Sequence, residues 1–374
     1  MKLEGLCVVD LSVFLPGPYL TLALADHGAE VIKVEPPGGD PMREVGTFEN
    51  GESVVFRNLN RGKKSIVLNL KEDKDRSALL TLSERADIFV ESFRPGVMER
   101  LGAAYEQVKK RNPAIIYCSI SAFGQSGPYR DRPAHDLAIE SIAGLISVTI
   151  GRDGAPTLPG IPVADYLTAL QALSGVLMAL WRREKTGEGE YIDVAMQGAS
   201  LSALANIASS AIVGDRQPNP ADERTTGGRA FYQVYDTRDD RQLALAGSEP
   251  KFVRSLLEAL GRLDLFDTCI GPPGPAQAAA TAYFRDTFRQ KTLAEWTALL
   301  EKLDLCFGPV NTLPEALRDA NALASGMIIS DAQNKRHLAP PIKFQREPAK
   351  PDLRAPRLGE HTVEILSSIG VEAR

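Results

Sequence analysis

His135 and Asp165 are the two residues of this sequence whose types and surroundings best suit proton transfer. His135 is one of four histidines, stands beside Asp136, and follows a turn rich in glycine and proline at Phe123–Pro128. A loop of this kind commonly delivers a side chain to a cleft. Asp165 comes later in the chain, where a second apolar helical run begins. We therefore expect His135 and Asp165 to face each other across a substrate carbon.

The same residues also fit purely structural roles. Aspartate is favoured at a helix N-cap because its carboxylate accepts a backbone N–H of the first turn, so Asp136 and Asp165 could both be caps. A single histidine is more often packed or exposed to solvent than used as a base. These three residues alone therefore leave a catalytic and a structural interpretation open.

The composition is that of an ordinary soluble globular protein. The chain has 374 residues, of which 44% are hydrophobic and 24% charged. This length allows a large buried core and favours two domains. The net charge of −5 argues against a nucleic-acid-binding protein, which usually carries a basic excess.

Cysteine usage indicates a reducing compartment. The four cysteines are far apart and form no CxxC pair, so no metal site of recognisable spacing is expected. The first residues show no signal-peptide pattern. The most apolar helical run, 167–181, is expected to be too short and too flanked by charge to span a bilayer. We expect a cytoplasmic protein that binds neither membranes nor nucleic acid.

Strand-like and helix-like patterns alternate through the first half of the chain. A buried strand at 6–10, a helix at 19–27 and a strand at 31–34 form one strand–helix–strand unit, which predicts a parallel sheet and an α/β fold. The unit has no GxGxxG, so no dinucleotide site is expected. Further strands are predicted at 65–70, 88–91, 115–121 and 191–195.

Cations follow several of these predicted strands. In open parallel sheets, ligands bind at the carboxyl ends of the strands, and Arg and Lys pair with phosphate oxygens. A polyphosphate ligand is therefore expected there, although a solvated charged surface is the simpler alternative for each cation taken alone. The cations are Arg61, Lys63, Lys71, Arg94 and Arg100.

The polar stretch 214–228, with two prolines and a Gly-Gly pair, is the predicted domain boundary. A hairpin is expected after it, with strands at 231–235 and 242–246. The sequence thus predicts a large domain at 1–213, a smaller α+β domain at 214–330, and a C-terminal segment at 331–374. That segment combines a proline-rich strap with a last helix and returns to the large domain.

Motifs along essentially the whole chain resemble the 2-methylacyl-CoA racemases, within the family III CoA-transferase superfamily. The resemblance implies a Rossmann-like large domain, a small domain, and a homodimer whose two chains interlock like links. The matching stretches are Gly5–Ser12, Gly17–Tyr19, Ala25–Asp40, Arg61–Lys71, Phe93–Val97, Glu99–Gly102, Gly124–Pro128, Gly187–Ala195 and Pro356–His361.

The resemblance implies catalytic roles for His135, Asp165 and Glu249. His135 and Asp136 match the His-Asp pair of the racemases, and Glu249 matches the glutamate that partners that histidine. Glu249 also precedes Pro250, where a helix-start role is the structural alternative. Asp165 matches an aspartate that racemases use as an acid or base and transferases use as a nucleophile. Ala164 stands where the racemases have glycine, which is more transferase-like.

The resemblance also implies a binding site for coenzyme A. Pro36 stands where some members have an arginine, and Arg43 is expected to substitute for it. No metal or redox cofactor is expected, because coenzyme A is part of the substrate. The matching positions are Leu68, Asn69, Leu70, Lys71, Phe93, Arg94, Arg100, Ala134, Asp136, Leu137, Ala138 and Ile139.

The expected reaction is inversion at the carbon next to the thioester carbonyl of an acyl-CoA. Two bases on opposite faces remove and return the proton, His135 supported by Glu249 on one face and Asp165 on the other. The backbone N–H of Asp136 is the expected donor to the enolate oxygen. One alternative is a CoA-transferase in which Asp165 attacks the thioester and forms a mixed anhydride and then an aspartyl-CoA thioester. Another is a protein that binds CoA without chemistry.

Overall fold

The structure is a computed structural model that describes residues 1–372. Its strands are, in chain order, β1 (Cys7–Asp10), β2 (Glu30–Glu35), β3 (Phe48–Glu49), β4 (Glu52–Ser53), β5 (Lys64–Val67), β6 (Ile88–Glu91), β7 (Ile116–Ser121), β8 (Glu190–Ala195), β9 (Tyr232–Asp236), β10 (Gln242–Ala246), β11 (Phe307–Pro309), β12 (Ile328–Ser330) and β13 (Arg336–Leu338). Its α-helices are α1 (Pro16–Asp26), α2 (Val54–Asn60), α3 (Asp73–Ser83), α4 (Val97–Arg100), α5 (Tyr105–Arg111), α6 (Asp136–Ile142), α7 (Leu145–Val148), α8 (Val163–Thr186), α9 (Met196–Ala203), α10 (Ser209–Gly214), α11 (Pro250–Ala259), α12 (Phe266–Ile270), α13 (Ala278–Phe288), α14 (Leu293–Leu300), α15 (Leu313–Ala316), α16 (Ala320–Ala324) and α17 (Thr362–Ser368).

The largest sheet has six strands in the order β5-β2-β1-β6-β7-β8, and every neighbouring pair is parallel. This is the order of a doubly wound Rossmann sheet, which confirms the predicted α/β fold. The order reverses between β1 and β6. Open α/β sheets bind ligands in the crevice outside the carboxyl ends of such a strand pair.

Both faces of this sheet are covered by apolar side chains, because successive strand residues point to opposite faces. Val9 and Phe89 pack with α3, α5 and α17 on one face. Val8 and Ile88 pack with α1 and α8 on the other. Full burial of a side chain of this size contributes roughly 1.5–3 kcal/mol, so these two layers hold the strand ends in place.

Helix α8 has 24 residues and is longer than predicted. Among the described residues it is the one helix whose length and composition would allow it to cross a membrane, so the expectation that this run is too short was wrong. Core helices of soluble proteins pass the same test. One face of α8 is buried, and Arg183 near its end pairs with Asp87 at 2.8 Å. The opposite face exposes Leu170, Met178 and Trp181.

The chain forms two compact units. The first contains Met1–Leu145, Leu158–Ala203 and the chain from Asn321 onward, and the second contains Ile146–Thr157 and Leu204–Ala320. The first unit is left at Ala203, earlier than the predicted residue 213, and the expected single helix at 197–213 is two helices, α9 and α10, on either side of this point. The chain returns to the first unit at Asn321, before the predicted residue 330.

The second unit is α+β. Strands β9, β10 and β11 form an antiparallel sheet, which confirms the predicted hairpin. Phe284, Phe288 and Trp296 fill the core between this sheet and its helices. Residues 146–157 join this unit although they precede α8 in the chain, and Arg152 pairs with Asp236 at the end of β9 at 2.8 Å.

The C-terminal segment returns to the first unit, as predicted. The His361 N–H donates to the Ser65 carbonyl at 2.9 Å, and the Val67 N–H donates to the Thr362 hydroxyl at 3.0 Å. These bonds cover β5, an edge strand whose free N–H and C=O groups would otherwise remain open. Ala373 and Arg374 lie outside the described residues.

Gly189 makes a close approach that fixes the start of β8. Its N–H donates to the Pro113 carbonyl at 3.0 Å, and a Cβ at this position would overlap the Ile115 carbonyl oxygen. Gly189→Ala is therefore expected to lower the free energy of unfolding by about 2 kcal/mol or more, since backbone has to move. Guanidinium unfolding measures this. Gly198→Ala in α9 is the control, because the nearest atom to its Cβ is 3.9 Å away. An equal loss in both variants would contradict the prediction.

Candidate active site

Two loops at the carboxyl ends of β1 and β6 form one side of the crevice. The Val13 N–H donates to the Ser92 hydroxyl at 3.1 Å, which ties the two loops together. Phe14, in the first loop, has a φ of 64°, an uncommon backbone conformation for a bulky residue. Its exposed ring contacts the His135 ring edge-on, with centroids 5.8 Å apart. The loop therefore places an aromatic surface beside the candidate base.

The first cavity at this crevice has a volume of about 390 Å³, and its wall includes both His135 and Asp165. The structure thus brings the two predicted catalytic residues to one space within the first unit. The rest of the wall contains apolar residues and cations. It includes Val13, Phe14, Ser92, Phe93, Arg94, Arg130, Arg132, Ala134 and Met196.

Asp165 lies in the first turn of α8, and its side chain makes no capping hydrogen bond. The residue at the N-cap position is Pro162. The Asp165 N–H instead donates to Asp136 Oδ1 at 3.0 Å. Glu140 Oε1 accepts the N–H of Val163 at 2.9 Å. The Asp136 side chain therefore caps a helix, although that helix is α8 and not its own helix α6. The Asp165 carboxyl caps no helix and lies in the wall of the first cavity.

Burial, together with the neighbouring carboxylates of Asp136 and Glu140, raises the pKa of the Asp165 carboxyl to about 7. Each effect disfavours a charge on Asp165. Both protonation states are consequently populated near neutral pH. A pKa close to the operating pH is what an acid–base catalyst requires.

His135 is at the N-cap of α6, and its imidazole is exposed at the cavity. Glu249 belongs to the second unit. It is exposed at the N-cap of α11, where its side chain makes no capping bond. The pairing of Glu249 with His135 stays a prediction.

A second cavity of about 250 Å³ shares Val13 and Phe93 with the first. It begins at the carboxyl ends of β2 and β5, and its wall contains Lys33 of β2 and Lys71 of the segment that follows β5. Four neighbouring residues predicted to bind CoA also line it or stand at its edge. These are Leu68, Asn69, Leu70 and Lys71.

The model of CoA-transferase family III matches residues 3–362. The chain belongs to this family. It is 32% identical to the succinyl-CoA:glutarate CoA-transferase of Mus musculus, over 98% of this chain and 86% of that protein. It is 33% identical to the alpha-methylacyl-CoA racemase of Homo sapiens, over 99% of this chain and 94% of that protein. A CAIB/BAIF family protein from Brucella suis has the same fold, with a TM-score of 0.86 and 32% identity over 99% of each chain.

Family III proteins include both CoA-transferases and racemases, and members of the family are enzymes that act on acyl-CoA substrates. Of the predicted CoA positions, Phe93, Arg94 and Ala134 line the first cavity. Arg100 is exposed on α4 and lines neither cavity. Within the described residues, only some of the predicted CoA-binding positions thus line the two cavities.

The predicted positions on α6 lie away from the first cavity. Asp136 and Leu137 line a separate, smaller cavity beside the start of α8. Ile139 is fully buried and packs with Ala164. Ala138 is exposed on the same short helix. Asp136 and Ile139 contact the start of α8, and the placement of all four residues gives no support to direct contact with the nucleotide.

Arg43 does not replace the missing cation at Pro36. Its guanidinium makes two hydrogen bonds to the Glu35 carboxylate, at 2.7 and 2.8 Å, and one to the Pro356 carbonyl at 3.1 Å. It also stacks over the Phe56 ring, 3.9 Å from the ring centroid. Arg43 therefore fastens the C-terminal strap, and it lines neither cavity.

Two other cations that the sequence suggested for a polyphosphate are internal. Arg61 pairs with Asp26 at 2.7 Å, and Lys63 lies 3.2 Å from Asp10, with all four side chains almost fully buried. A buried charge requires such a partner, so both cations are structural. The expectation that they contact phosphate was wrong.

Sequence reasoning missed Arg130, Arg132 and Glu140. The two arginines line the first cavity and belong to the loop that delivers His135. The glycines of this loop had marked it as a candidate part of the site. The positive charges of the two arginines were the signal that could have identified them. Glu140 lies one helical turn after Asp136, a spacing that places both on one face of α6. Residues 1–372 contain no group of three His, Cys, Asp or Glu placed to hold a metal ion.

Glu91, at the end of β6, titrates near neutrality although the proposed chemistry does not use it. Burial raises the pKa of this carboxyl to about 7. Its folded-state pKa is above the unfolded value, so its contribution to stability is present at low pH and is lost as the pH rises through 7. Glu91→Gln is expected to increase the free energy of unfolding at pH 8 by about 3 kcal/mol and to change little at pH 4. Urea unfolding at both pH values measures this, with the exposed Glu188→Gln as control. A gain of equal size at both pH values would contradict it.

Proposed function

We propose that this enzyme is a racemase of 2-methylacyl-CoA thioesters that works by proton transfer through an enolate. The observation that supports this most is the presence of His135 and Asp165 in the wall of one cavity. Inversion at a carbon requires a base on one face and an acid on the other. Because the pKa of the Asp165 carboxyl is about 7, Asp165 can act as the acid or as the base near neutral pH, with His135 in the opposite role.

The reaction begins when one of these groups removes the proton from the carbon next to the thioester carbonyl. The electron pair of that C–H bond moves to the carbonyl oxygen and forms an enolate. The other group, which starts protonated, then delivers its proton to the opposite face. For the second epimer the roles are reversed. Glu249 is assigned to orient His135, and the Asp136 N–H to stabilise the enolate oxygen.

A CoA-transferase is the second candidate, and two observations favour it. Ala164, where the racemases have glycine, is fully buried against α6. The relatives that match over nearly the whole chain include a succinyl-CoA:glutarate CoA-transferase. In this reaction the ionised Asp165 attacks the thioester carbonyl and expels the CoA thiolate. The resulting mixed anhydride is then attacked by that thiolate at the aspartyl carbonyl, which releases the carboxylate product.

The proposed enzyme works as a cytoplasmic homodimer without a metal or redox cofactor. The side chains of Leu170, Met178 and Trp181 form an exposed apolar face on α8, and a second copy of this chain is the proposed covering surface. Light scattering after gel filtration tests this. A mass of one chain at micromolar concentration would reject the dimer.

The deciding experiment incubates a single epimer of a 2-methylacyl-CoA with the enzyme in D₂O, without a carboxylate acceptor. Deuterium at the 2-position together with loss of stereochemical purity supports the racemase. Retention of hydrogen, followed by CoA transfer once a carboxylate is added, rejects it in favour of the transferase. Tight binding with neither reaction leaves a CoA-binding protein.

A further inference from the structure

Glu140 is a buried carboxyl that the mechanism above does not use. Its side chain is 1% exposed. Oε1 accepts the N–H of Val163 at 2.9 Å and that of Ala164 at 3.4 Å. Oε2 is buried and has no hydrogen-bond partner among the described residues. One oxygen of Glu140 therefore holds the first turn of α8, and the carboxyl also interacts with that of Asp136.

Holding this turn does not require a carboxyl group. A glutamine amide has the same shape, and its oxygen would accept the same two N–H groups. A buried carboxyl costs more than a buried amide, because its charge loses hydration. Burial raises the pKa of the Glu140 carboxyl, and the nearby Asp136 raises it further. Helix capping therefore does not explain why residue 140 is a glutamate and not a glutamine.

We propose that Glu140 is a positioning residue that, together with Asp136, sets the protonation state of Asp165 while holding the first turn of α8 in place. Asp136 binds the Asp165 N–H at 3.0 Å, so both acids contact the turn that carries the reacting carboxyl. Like charges so close to Asp165 disfavour its ionised form. The inference rests on the proposed use of Asp165 and holds whether Asp165 acts as a base or as a nucleophile.

The other charged and titratable groups around Asp165 belong to four segments. The His135 loop and the loop after β6 contribute cations, of which Arg130 already pairs with Asp131 at 2.8 Å. Helix α1 and α8 itself contribute phenols, and α9 contains no titratable residue. Asp136 and Glu140 are therefore the negative charges facing Asp165 from its packed neighbours in the described chain. The remaining groups are Arg94, Arg130, Arg132, His135, Tyr19 and Tyr166.

The test is Glu140→Gln, which removes the charge and keeps an oxygen for the two N–H donors. The ionised Asp165 is needed in the transferase, and in the racemase for the epimer whose proton faces Asp165. With either of these substrates the acidic limb of the kcat/KM–pH profile reports its titration. We expect this limb to move to lower pH by about one unit. Glu184→Gln is the matched control, because it removes an exposed charge at the far end of the same helix. A profile identical to that of the unchanged protein would overturn the inference.

A second readout does not depend on activity. The protein is labelled with ¹³C at the aspartate carboxyl carbons, and the Asp165 signal is assigned by its loss in Asp165→Asn. Its titration midpoint is expected to fall by the same amount in Glu140→Gln, and an unchanged midpoint would overturn the inference even if no reaction is found. If Glu140→Gln does not fold, Asp136→Asn replaces it, since its amide oxygen can still accept the Asp165 N–H, and the same downward shift is required.

Discussion

Asp165→Asn is expected to lower kcat about 10³-fold or more with either class of substrate. A general base contributes about 10²–10⁴-fold, and loss of a nucleophile usually costs more. The amide can neither accept the substrate proton nor form an anhydride. The fold is expected to remain, because the Asp165 side chain caps no helix and its N–H keeps the bond to Asp136.

Initial rates measure the expected loss of activity, and a thermal melt measures whether the fold remains. Asp286→Asn is the matched control, since Asp286 is exposed on α13 in the second unit. With a substrate that requires the ionised Asp165, the residual activity of Asp165→Asn should also lose the acidic limb near pH 7, because the group that titrates there has been removed. Turnover close to that of the unchanged enzyme in a well-folded variant would reject every mechanism that uses Asp165.

The strands of the large sheet were predictable because their signal is local. Residues 88–90 are a continuous apolar run, since both faces of this parallel sheet are buried, and the predicted bounds 88–91 match β6. The alternation of such runs with helices was sufficient to predict parallel pairing. The location of the candidate site also followed, because strand ends and the loops after them are fixed once the sheet order is known.

The partners of charged residues were not predictable in the same way. From the sequence alone, a phosphate-binding role was plausible for Arg43, Arg61 and Lys63. Each instead binds a protein group distant in sequence, such as the Pro356 carbonyl for Arg43 and Asp26 for Arg61. Local patterns contain no information on such contacts. For the same reason the capping of α8 by α6 became visible only in the structure.

His135→Ala distinguishes the two candidate reactions most sharply. In a two-base racemase it is expected to reduce inversion about 10³-fold, because no acid remains on one face of the enolate. Asp165 can still remove the proton that faces it. Deuterium exchange should therefore continue with one epimer of the substrate and stop with the other. In a transferase, His135 forms no bond to the substrate, and transfer is expected to fall less than about 10-fold.

Asp165→Asn is the matched partner in this experiment, since it leaves His135 as the remaining base. Each variant is incubated in D₂O with each epimer separately, and deuterium at the 2-position is measured by mass spectrometry. The racemase requires the two variants to exchange opposite epimers, because the two bases lie on opposite faces of the same carbon. If both variants exchange the same epimer, or if His135→Ala inverts its substrate at an undiminished rate, His135 is not the second base and its place beside Phe14 is structural.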